Sequence, residues 1–495
     1  MSEIVITLNG KKMTCNEGDL VSKLFGEETP CGGRGICGKC KVKAKGSLSK
    51  ITEREVYLLS RDEIKRGIRL ACLTFVKGPC EIETLGSKKS GEVIQEKDAS
   101  TVRAVAPMFK NLGVAVDIGT TTIAARLYDS SGSLLSTASC LNPQVRLGSD
   151  VVTRIETALN GKAEMLKNAV TKGINSLVTE LAQKARVKPE NIDGGVITGN
   201  TAMLCLFAEK SVKGLAAAPF TLDFSFGESF TAGELGLYAL NDATEIYLPP
   251  CISPFVGADI TCALIASGLC EKKETSLLVD IGTNGEMCLW HKDRLFVAST
   301  AAGPAFEGVG ISHGMRAGTG AVDRVFIKDG KISVHIIDAI TARGICGGGL
   351  IEGVAALLEL GIIDETGYME EKFAFCEGAE LTPEDLRKLQ MSKSAISAGI
   401  KTLIKTAEVD FAEQTLLAGG FGSNLNIQSA RRIGLLPENA KNVTVIGNAA
   451  LGGASMLLLD EKLMEKCVDI TQNTILVELA TSSAFSEYFM EDMMF

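Results

Sequence analysis

The stretch VAVDIGTTT, from Val114 to Thr122, joins an apolar run to an aspartate, a glycine and three consecutive threonines. An apolar run that ends at glycine is typical of a buried strand entering a tight turn. A matching stretch, LLVDIGTNGE, begins at Leu277, and its Asp280 follows Asp117 by 163 positions. Each stretch leads into a second strand, a turn and a third strand. Two copies of this unit predict two similar subdomains that face each other across a ligand cleft.

The loops after these two strands have the composition of phosphate-binding turns. Glycine lets the backbone approach a phosphate, while threonine hydroxyls and backbone amides donate hydrogen bonds to its oxygens. One copy would be weak evidence, because many strand-to-turn junctions contain Asp and Gly. With two copies, we expect the phosphates to be lined by Gly119, Thr120, Thr121, Thr122, Gly282, Thr283, Asn284 and Gly285. A third glycine cluster, LLAGGFGSN at residues 416–424, would let an adenosine lie against the backbone at Gly419, Gly420 and Gly422.

Carboxylates supply the remaining chemistry of the predicted nucleotide site. Asp117 and Asp280, at the two strand ends, are candidates to hold a hydrated Mg²⁺ or to position the attacking water. Asp259 is a candidate base, although an acidic residue that opens a helix is more often a cap. Asn200 and Glu286 either support the site or are structural.

The stretch CGGRGICGKC, from Cys31 to Cys40, carries a second strong signal. Cys31, Cys37 and Cys40 form a compact loop, and Cys72 follows far downstream. Three clustered thiols and a distant fourth suit a 2Fe–2S cluster, whose two irons each take two sulfurs. Glycines in this loop can bring backbone N–H groups close to the anionic cluster. A zinc site would more often show two Cys-x-x-Cys pairs, and ordinary buried thiols are the third alternative.

Bulk composition narrows the class of protein. The chain has 495 residues, of which 45% are hydrophobic and 22% charged, and its net charge of −9 argues against a nucleic-acid partner. No apolar run approaches the roughly 20 residues that cross a bilayer, and the N-terminus lacks the features of a signal peptide. We therefore expect a cytoplasmic protein with neither a membrane nor a nucleic-acid partner.

Charge and periodicity divide the chain into regions. Residues 1–86 contain a hairpin signal, the cysteine loop and a closing strand. They form a basic segment, which is either a solvated face or a docking surface for an acidic partner or for the rest of this chain. Residues 87–111 are polar and suit a linker. Residues 112–270 and 271–495 alternate apolar strands with helices, which predicts two α/β subdomains, the second with the adenosine motif.

These regions resemble known families. Residues 1–86 resemble a 2Fe–2S ferredoxin domain of the β-grasp type, which is an α+β fold. The two phosphate motifs and the adenosine motif resemble the ASKHA superfamily of actin-like ATPases, whose RNase H-like α/β core has two subdomains. Nearly the whole chain is similar to the reductive activators of corrinoid-dependent methyltransferase systems. The motifs that carry this likeness include CGGRGICGKC, DIGTTT, NPQVRLGSDVVTRI, GNTAM, PPCISPFVGADI, DIGTNGE, STAAGPAFEGVGISHGMRAGTGAV, GICGGGLIE, LAGGFGS and VIGNAALGGA.

The last resemblance implies an ATP-hydrolysing electron-transfer activator. Such a protein passes one electron from a 2Fe–2S cluster to a Co(II)-corrinoid protein and regenerates Co(I) for methyl transfer, with ATP and Mg²⁺ driving the step. The implied partners are that corrinoid protein and an upstream low-potential electron donor. Whether the chain forms a homodimer stays open.

Three other functions stay open from the sequence. A small-molecule kinase with a regulatory ferredoxin domain needs an acceptor pocket, which no motif identifies. An activator of a radical dehydratase, or of another low-potential enzyme, would share the ATPase core, but the dehydratase activators bind a 4Fe–4S cluster between two subunits. A passive electron-transfer module would carry a degenerate nucleotide site.

Overall fold

The computed structural model describes residues 3–8, 10–25, 40–59, 61–84, 105–148, 150–419 and 425–495. The chain divides into two compact units. The first comprises residues 1–95, 308–360 and 370–385, and the second comprises residues 96–307, 361–369 and 386–495.

Residues 3–84 build a five-stranded mixed sheet. Its elements are β1 (Glu3–Leu8), β2 (Lys11–Asn16), β3 (Lys41–Leu48), α1 (Glu53–Leu58), α2 (Arg61–Lys65), β4 (Ile68–Leu70) and β5 (Val76–Thr84). The strand order is β2-β1-β5-β3-β4. Strands β1 and β2 pair antiparallel, which confirms the predicted hairpin, whereas β1 and β5 run parallel. Ile6, Val42 and Ile82 form part of the buried core of this sheet.

Residues 105–307 begin with a six-stranded sheet. The elements are β6 (Leu112–Ile118), β7 (Thr122–Asp129), β8 (Leu134–Leu141), α3 (Val151–Thr157), α4 (Ala163–Ala185), β9 (Ile192–Gly199), α5 (Thr201–Phe207), β10 (Glu228–Thr231), α6 (Ala232–Leu235), β11 (Glu245–Leu248), α7 (Ala258–Ser267), β12 (Ser276–Ile281), β13 (Gly285–His291) and β14 (Arg294–Thr300). The sheet order is β10-β11-β9-β6-β7-β8. Strand β6 is buried on both faces, because Val114 and Val116 pack in one core cluster and Ala115 packs in another. This explains its continuous apolar run.

Residues 308–495 complete the fold. The elements are β15 (Ala321–Lys328), β16 (Lys331–Ile336), β17 (Gly344–Ile345), α8 (Gly347–Glu359), β18 (Phe373–Cys376), β19 (Ala379–Leu381), α9 (Pro383–Thr406), β20 (Gln414–Ala418), α10 (Ile427–Arg432), β21 (Val443–Gly447), α11 (Ala449–Leu459), α12 (Leu463–Gln472), β22 (Thr474–Leu476) and α13 (Ser483–Glu491). A second six-stranded sheet has the order β21-β20-β12-β13-β14-β22. Strands β15 to β17 form a separate three-stranded sheet, and β18 pairs with β19.

The two six-stranded sheets repeat one topology. In the first, β6 pairs antiparallel with β7, β7 pairs antiparallel with β8, and β6 runs parallel to β9. In the second, β12, β13 and β14 pair in the same way, and β12 runs parallel to β20. The strand–loop–strand–turn–strand repeat predicted from the sequence is therefore confirmed.

Helices α7 and α11 cross at a point where a side chain would not fit. A Cβ atom added to Gly453 in α11 would lie 1.9 Å from the carbonyl oxygen of Cys262 in α7. The crossing matters for the site, because α7 carries Asp259 and α11 begins directly after Asn448.

Among the described residues, no helix combines the length and the apolar character that a membrane span requires.

Candidate functional site

The first predicted phosphate loop, residues 119–121, is held by hydrogen bonds from the chain that follows β8. Asn142 Nδ2 donates a hydrogen bond to the Gly119 carbonyl at 2.9 Å, and the Asn142 backbone N–H donates to the Thr121 carbonyl at 2.8 Å. Arg154 Nη2 donates to the Thr120 carbonyl at 2.6 Å. Hydrogen bonds to three consecutive carbonyls therefore restrain the backbone of this loop.

Arg154 is fully buried in α3 and acts as a structural clamp. Its Nε donates to the Gly148 carbonyl at 2.9 Å, and its Nη1 lies 3.2 Å from Gln144 Oε1. Burial lowers the pKa of Arg154 to about 10, which leaves the guanidinium charged at neutral pH. Sequence reasoning assigned this residue no role.

The second predicted phosphate loop, residues 282–284, lies between β12 and β13. Gly282 N donates to the Asn284 carbonyl at 2.9 Å, which closes the turn, and Gly303 N donates to the Thr283 carbonyl at 3.0 Å. A Cβ added at Gly282 would meet nothing closer than the Asn284 carbonyl oxygen at 3.6 Å. A phosphate could therefore approach the backbone here. Gly285, in contrast, begins β13 against Ile396, which leaves no room for a side chain.

Glu307 joins the two loops, and sequence reasoning missed it. Its Oε1 accepts a hydrogen bond from Thr283 Oγ1 at 2.8 Å, and its Oε2 accepts from Thr121 Oγ1 at 3.4 Å. The structure thus brings together loops that are 163 positions apart. Glu307 lies within STAAGPAFEGVGISHGMRAGTGAV, a stretch that carries the family resemblance, but no pattern gave it a role, because it lies 24 residues after Thr283 in an unrelated turn.

Two asparagines that each follow a strand also contact β6 or the loop after it. Asn200 follows β9 and caps α5, and its Nδ2 donates to Thr120 Oγ1 at 3.2 Å. Asn448 follows β21 and caps α11, and its Nδ2 donates to Asp117 Oδ2 at 2.9 Å. Each asparagine comes directly after a glycine at a strand end. That repeated Gly-Asn pair was the signal that could have identified Asn448 from the sequence.

Four half-buried carboxylates, those of Asp117, Asp259, Asp280 and Glu286, are close enough to shift one another's pKa. Burial raises the pKa of Asp117 to about 6, partly opposed by the Asn448 hydrogen bond, and burial together with Asp117 raises that of Asp280 to about 7. The pKa of Asp259 rises to about 8 through burial, Asp280 and Asp117. Burial, Asp259 and Asp280 also raise the pKa of Glu286, which pairs with Asp280 across β12 and β13.

These carboxylates do not form a ready-made metal cage. Within the described ranges, no group of three or more His, Cys, Asp or Glu side chains has metal-ligand geometry. Mg²⁺ usually keeps several waters and binds through one or two carboxylates plus substrate phosphates, so the arrangement fits a nucleotide-borne Mg²⁺. Asp259 is not the cap of its helix, because the N-cap of α7 is Gly257. The Oδ1 atom of Asp259 accepts a hydrogen bond from the backbone N–H of the next residue, Ile260, at 2.9 Å.

The predicted adenosine motif is described in part. Gly419 has a φ of +91°, and a Cβ added there would lie 2.5 Å from Asp280 Oδ1, so glycine allows this close approach. Gly420 and Gly422 lie outside the described residues. Thr122 begins β7, where it pairs with Leu141 at the edge of the first loop.

Two of the four predicted cluster cysteines lie side by side. Cys40 Sγ and Cys72 Sγ are 3.1 Å apart, and Cys72 N lies 3.5 Å from Cys40 Sγ. The Cys72 thiol hydrogen bond lowers the pKa of Cys40 to about 7, which favours the thiolate that binds metals. Two thiolates that bind one tetrahedral metal at about 2.3 Å each lie about 3.8 Å apart. The two sulfurs would therefore have to separate only slightly to bind the same metal ion. Cys31 and Cys37 lie outside the described residues.

Comparison with known proteins agrees with this geometry. Residues 112–272 match the family model described as "RACo middle region", and residues 274–495 match "C-terminal domain of RACo the ASKHA domain". The chain is 34% identical over 418 residues to "Corrinoid activation enzyme RamQ" of Eubacterium limosum, covering 77% of this chain and 70% of that protein.

Two further relatives have related names. The chain is 26% identical to "[Co(II) methylated amine-specific corrinoid protein] reductase" of Methanosarcina barkeri, covering 76% of each protein. The solved structure "Reductive activator for corrinoid,iron-sulfur protein" is 27% identical, with a TM-score of 0.71 over 99% of this chain and 98% of that one. With its ASKHA-type C-terminal domain, this chain belongs to the family of reductive activators of corrinoid proteins.

Proposed function

We propose that this protein uses ATP to drive one electron onto the Co(II) of a corrinoid protein and so regenerates Co(I). One observation carries the proposal: the two phosphate loops meet at Glu307, in a chain that also pairs Cys40 with Cys72. The names of the relatives support a corrinoid protein as the partner. An upstream low-potential donor would return the electron to this protein.

The nucleotide site is proposed on the residues of both loops. Hydroxyls of Thr120, Thr121 and Thr283 would donate to phosphate oxygens, and the open face of Gly282 would admit a phosphate to the backbone. Asp117 and Asp280 would position hydrated Mg²⁺ or the attacking water, with Asp259 as the third candidate. Gly419, beside Asp280, would border the adenosine.

The electron site is proposed on Cys31, Cys37, Cys40 and Cys72. A 2Fe–2S cluster held there would supply the single electron. Support comes from the 3.1 Å separation of the two described sulfurs and from the mixed sheet of residues 3–84, whose β3 starts directly after Cys40. We propose residues 1–86 as the ferredoxin-type domain, 87–111 as a linker, and 112–270 and 271–495 as the two ATPase subdomains.

ATP is needed because the electron moves against its natural direction. A one-electron potential gap of about 200 mV costs roughly 4–5 kcal/mol at ~59 mV per tenfold. Nucleotide binding can supply this only through different affinities for two conformations of the protein or its complex. Loops that approach each other from two sheets are suited to that role, because a phosphate bound by both favours the closed arrangement.

A single experiment tests the proposal. Reduced protein is mixed anaerobically with a Co(II)-corrinoid protein, and the Co(I) absorption band is followed with ATP·Mg²⁺, with ADP·Mg²⁺ and without nucleotide. We expect the Co(I) band with ATP only. Equal reduction without nucleotide would overturn ATP dependence, and absence of the cluster's visible absorption after anaerobic reconstitution would overturn the electron site.

A further inference from the structure

Glu307 occupies hydrogen-bond donors that the proposed ATP site requires. Its two carboxylate oxygens accept from Thr283 Oγ1 and Thr121 Oγ1 at 2.8 and 3.4 Å, one donor from each phosphate loop. A carboxylate and a phosphate are both anions that accept hydrogen bonds, so they compete for the same hydroxyls. A phosphate bound to these hydroxyls would also lie close to the Glu307 carboxylate, and two anions at such short range repel each other.

The turn that carries Glu307 has free space at its Gly303 end, whereas its Gly308 end is tightly packed, because a Cβ added at Gly308 would lie 2.6 Å from Met315 N. Glu307 ends a single 3-10 turn, Pro304–Glu307, between Gly303 and Gly308, whose φ angles are +79° and +75°. A Cβ added at Gly303 would meet nothing closer than Ser392 Oγ at 3.8 Å, so this end of the turn has free space. Glycine reaches both signs of φ, which lets the backbone rotate there without the strain of a side chain.

We propose that the Glu307 carboxylate occupies the anion position between the two phosphate loops when nucleotide is absent, and that the terminal phosphate of ATP displaces it. The inference rests on the proposed ATP site. On displacement the Glu307 side chain leaves the two threonine hydroxyls, while the buried Ala305 and Phe306 keep the turn Pro304–Glu307 in place. The Glu307 carboxylate thus binds the two hydroxyls in the empty site and leaves them when a triphosphate binds.

The proposal predicts an unusual effect on affinity. When only a fraction of the protein has its binding site free, the apparent affinity is reduced by that fraction. Removing the charge of Glu307 should therefore tighten binding of a triphosphate. A substitution that merely damages the fold would weaken binding, so a gain cannot come from misfolding.

The test is calorimetric titration of the full chain with Mg²⁺ and either ADP or a non-hydrolysable β,γ-imido ATP analogue. The variants are Glu307→Gln, Glu307→Asp and the control Glu190→Gln, which makes the same change at an exposed residue of another proline-led 3-10 turn. We expect Glu307→Gln to bind the analogue about tenfold more tightly, with a smaller gain for ADP. Glu307→Asp, which keeps the charge but is shorter, should give an intermediate gain, and Glu190→Gln none.

Each other result decides the question. If the wild-type protein binds the analogue and Glu307→Gln binds it no more tightly, this inference falls while the ATP site stands. An equal gain for ADP would contradict the assignment to the terminal phosphate. If neither protein binds either nucleotide, the ATP site and this inference fall together.

Discussion

At the scale of single residues, Arg154 shows how much of the site depends on a buried side chain. Arg154→Lys keeps the charge but loses the planar group that reaches the Thr120 and Gly148 carbonyls together. We expect a loss of about 2–3 kcal/mol in the free energy of unfolding, because buried acceptors lose their donors. Urea denaturation measures it, with the exposed Arg54→Lys as control. Equal stability of the two variants would show that the clamp is dispensable.

The carboxylates predict a pH dependence of stability. Burial raises the pKa of Asp280 to about 7 in the folded protein, above the ordinary aspartate value of 3.8. The folded state therefore binds the Asp280 proton more tightly than the unfolded state does. The stability that this protonation contributes is fully present below pH 4 and is lost as pH rises towards 7. Asp280→Asn should raise the urea midpoint more at pH 8 than at pH 5.

The matched control for this prediction is the exposed Asp242→Asn, which should change both midpoints little. If Asp280→Asn raised the urea midpoint equally at pH 5 and pH 8, the raised pKa would be contradicted. A gain that does not depend on pH cannot come from removing a group that ionises between these two values.

The cysteine pair gives a prediction on metal content. Cys72→Ser should abolish the visible absorption and most of the iron of the reconstituted protein, because Cys72 is one of two thiols that converge at 3.1 Å. Cys376→Ser, at a half-buried cysteine in β18, should keep both. Zinc without iron in the wild-type protein would favour the zinc alternative.

At the scale of elements, the crossing of α7 and α11 decides whether the site assembles. Gly453→Ala would put a Cβ 1.9 Å from the Cys262 carbonyl oxygen and force the helices apart, at a cost of about 3 kcal/mol. Because α7 carries Asp259 and α11 follows Asn448, nucleotide binding should weaken as well. Thermal unfolding and calorimetry measure the two effects.

The neighbouring Gly452 is a control within the same helix. A Cβ added there would lie 3.5 Å from Ala266 Cβ, an ordinary contact, and alanine favours the helix by up to about 1 kcal/mol. Gly452→Ala should therefore be neutral or stabilising. If both variants behaved alike, helix spacing would not be the cause.

At the scale of the whole molecule, the proposed function requires two sites whose losses are separable. Cys72→Ser should still bind ATP but fail to reduce the corrinoid protein. Asp280→Asn should still hold the cluster and also fail. Iron content, nucleotide titration and the Co(I) band report these three properties. Reduction by either variant at the wild-type rate would show that the corresponding site is not part of the electron-transfer function.

The sequence predicted the fold well where the signal was local. Paired apolar strands with DIGTTT and DIGTNGE predicted the two related sheets, because a buried strand leading into a glycine turn has a recognisable composition. It also predicted a role for Asp117 and Asp280 from their places at the strand ends, and that role stays a prediction. It assigned no role to Arg154 or Asn448, which contribute through contacts with residues far along the chain.

By itself, the sequence determined the strand repeat, the phosphate-loop composition and the family to which the chain belongs. Only the tertiary structure decided that Glu307 bridges Thr121 and Thr283 and that four carboxylates lie close enough to raise one another's pKa. The physical reason is that hydrogen bonds and charge interactions depend on distances of a few ångströms. Such distances arise between residues more than a hundred positions apart only when the two sheets pack.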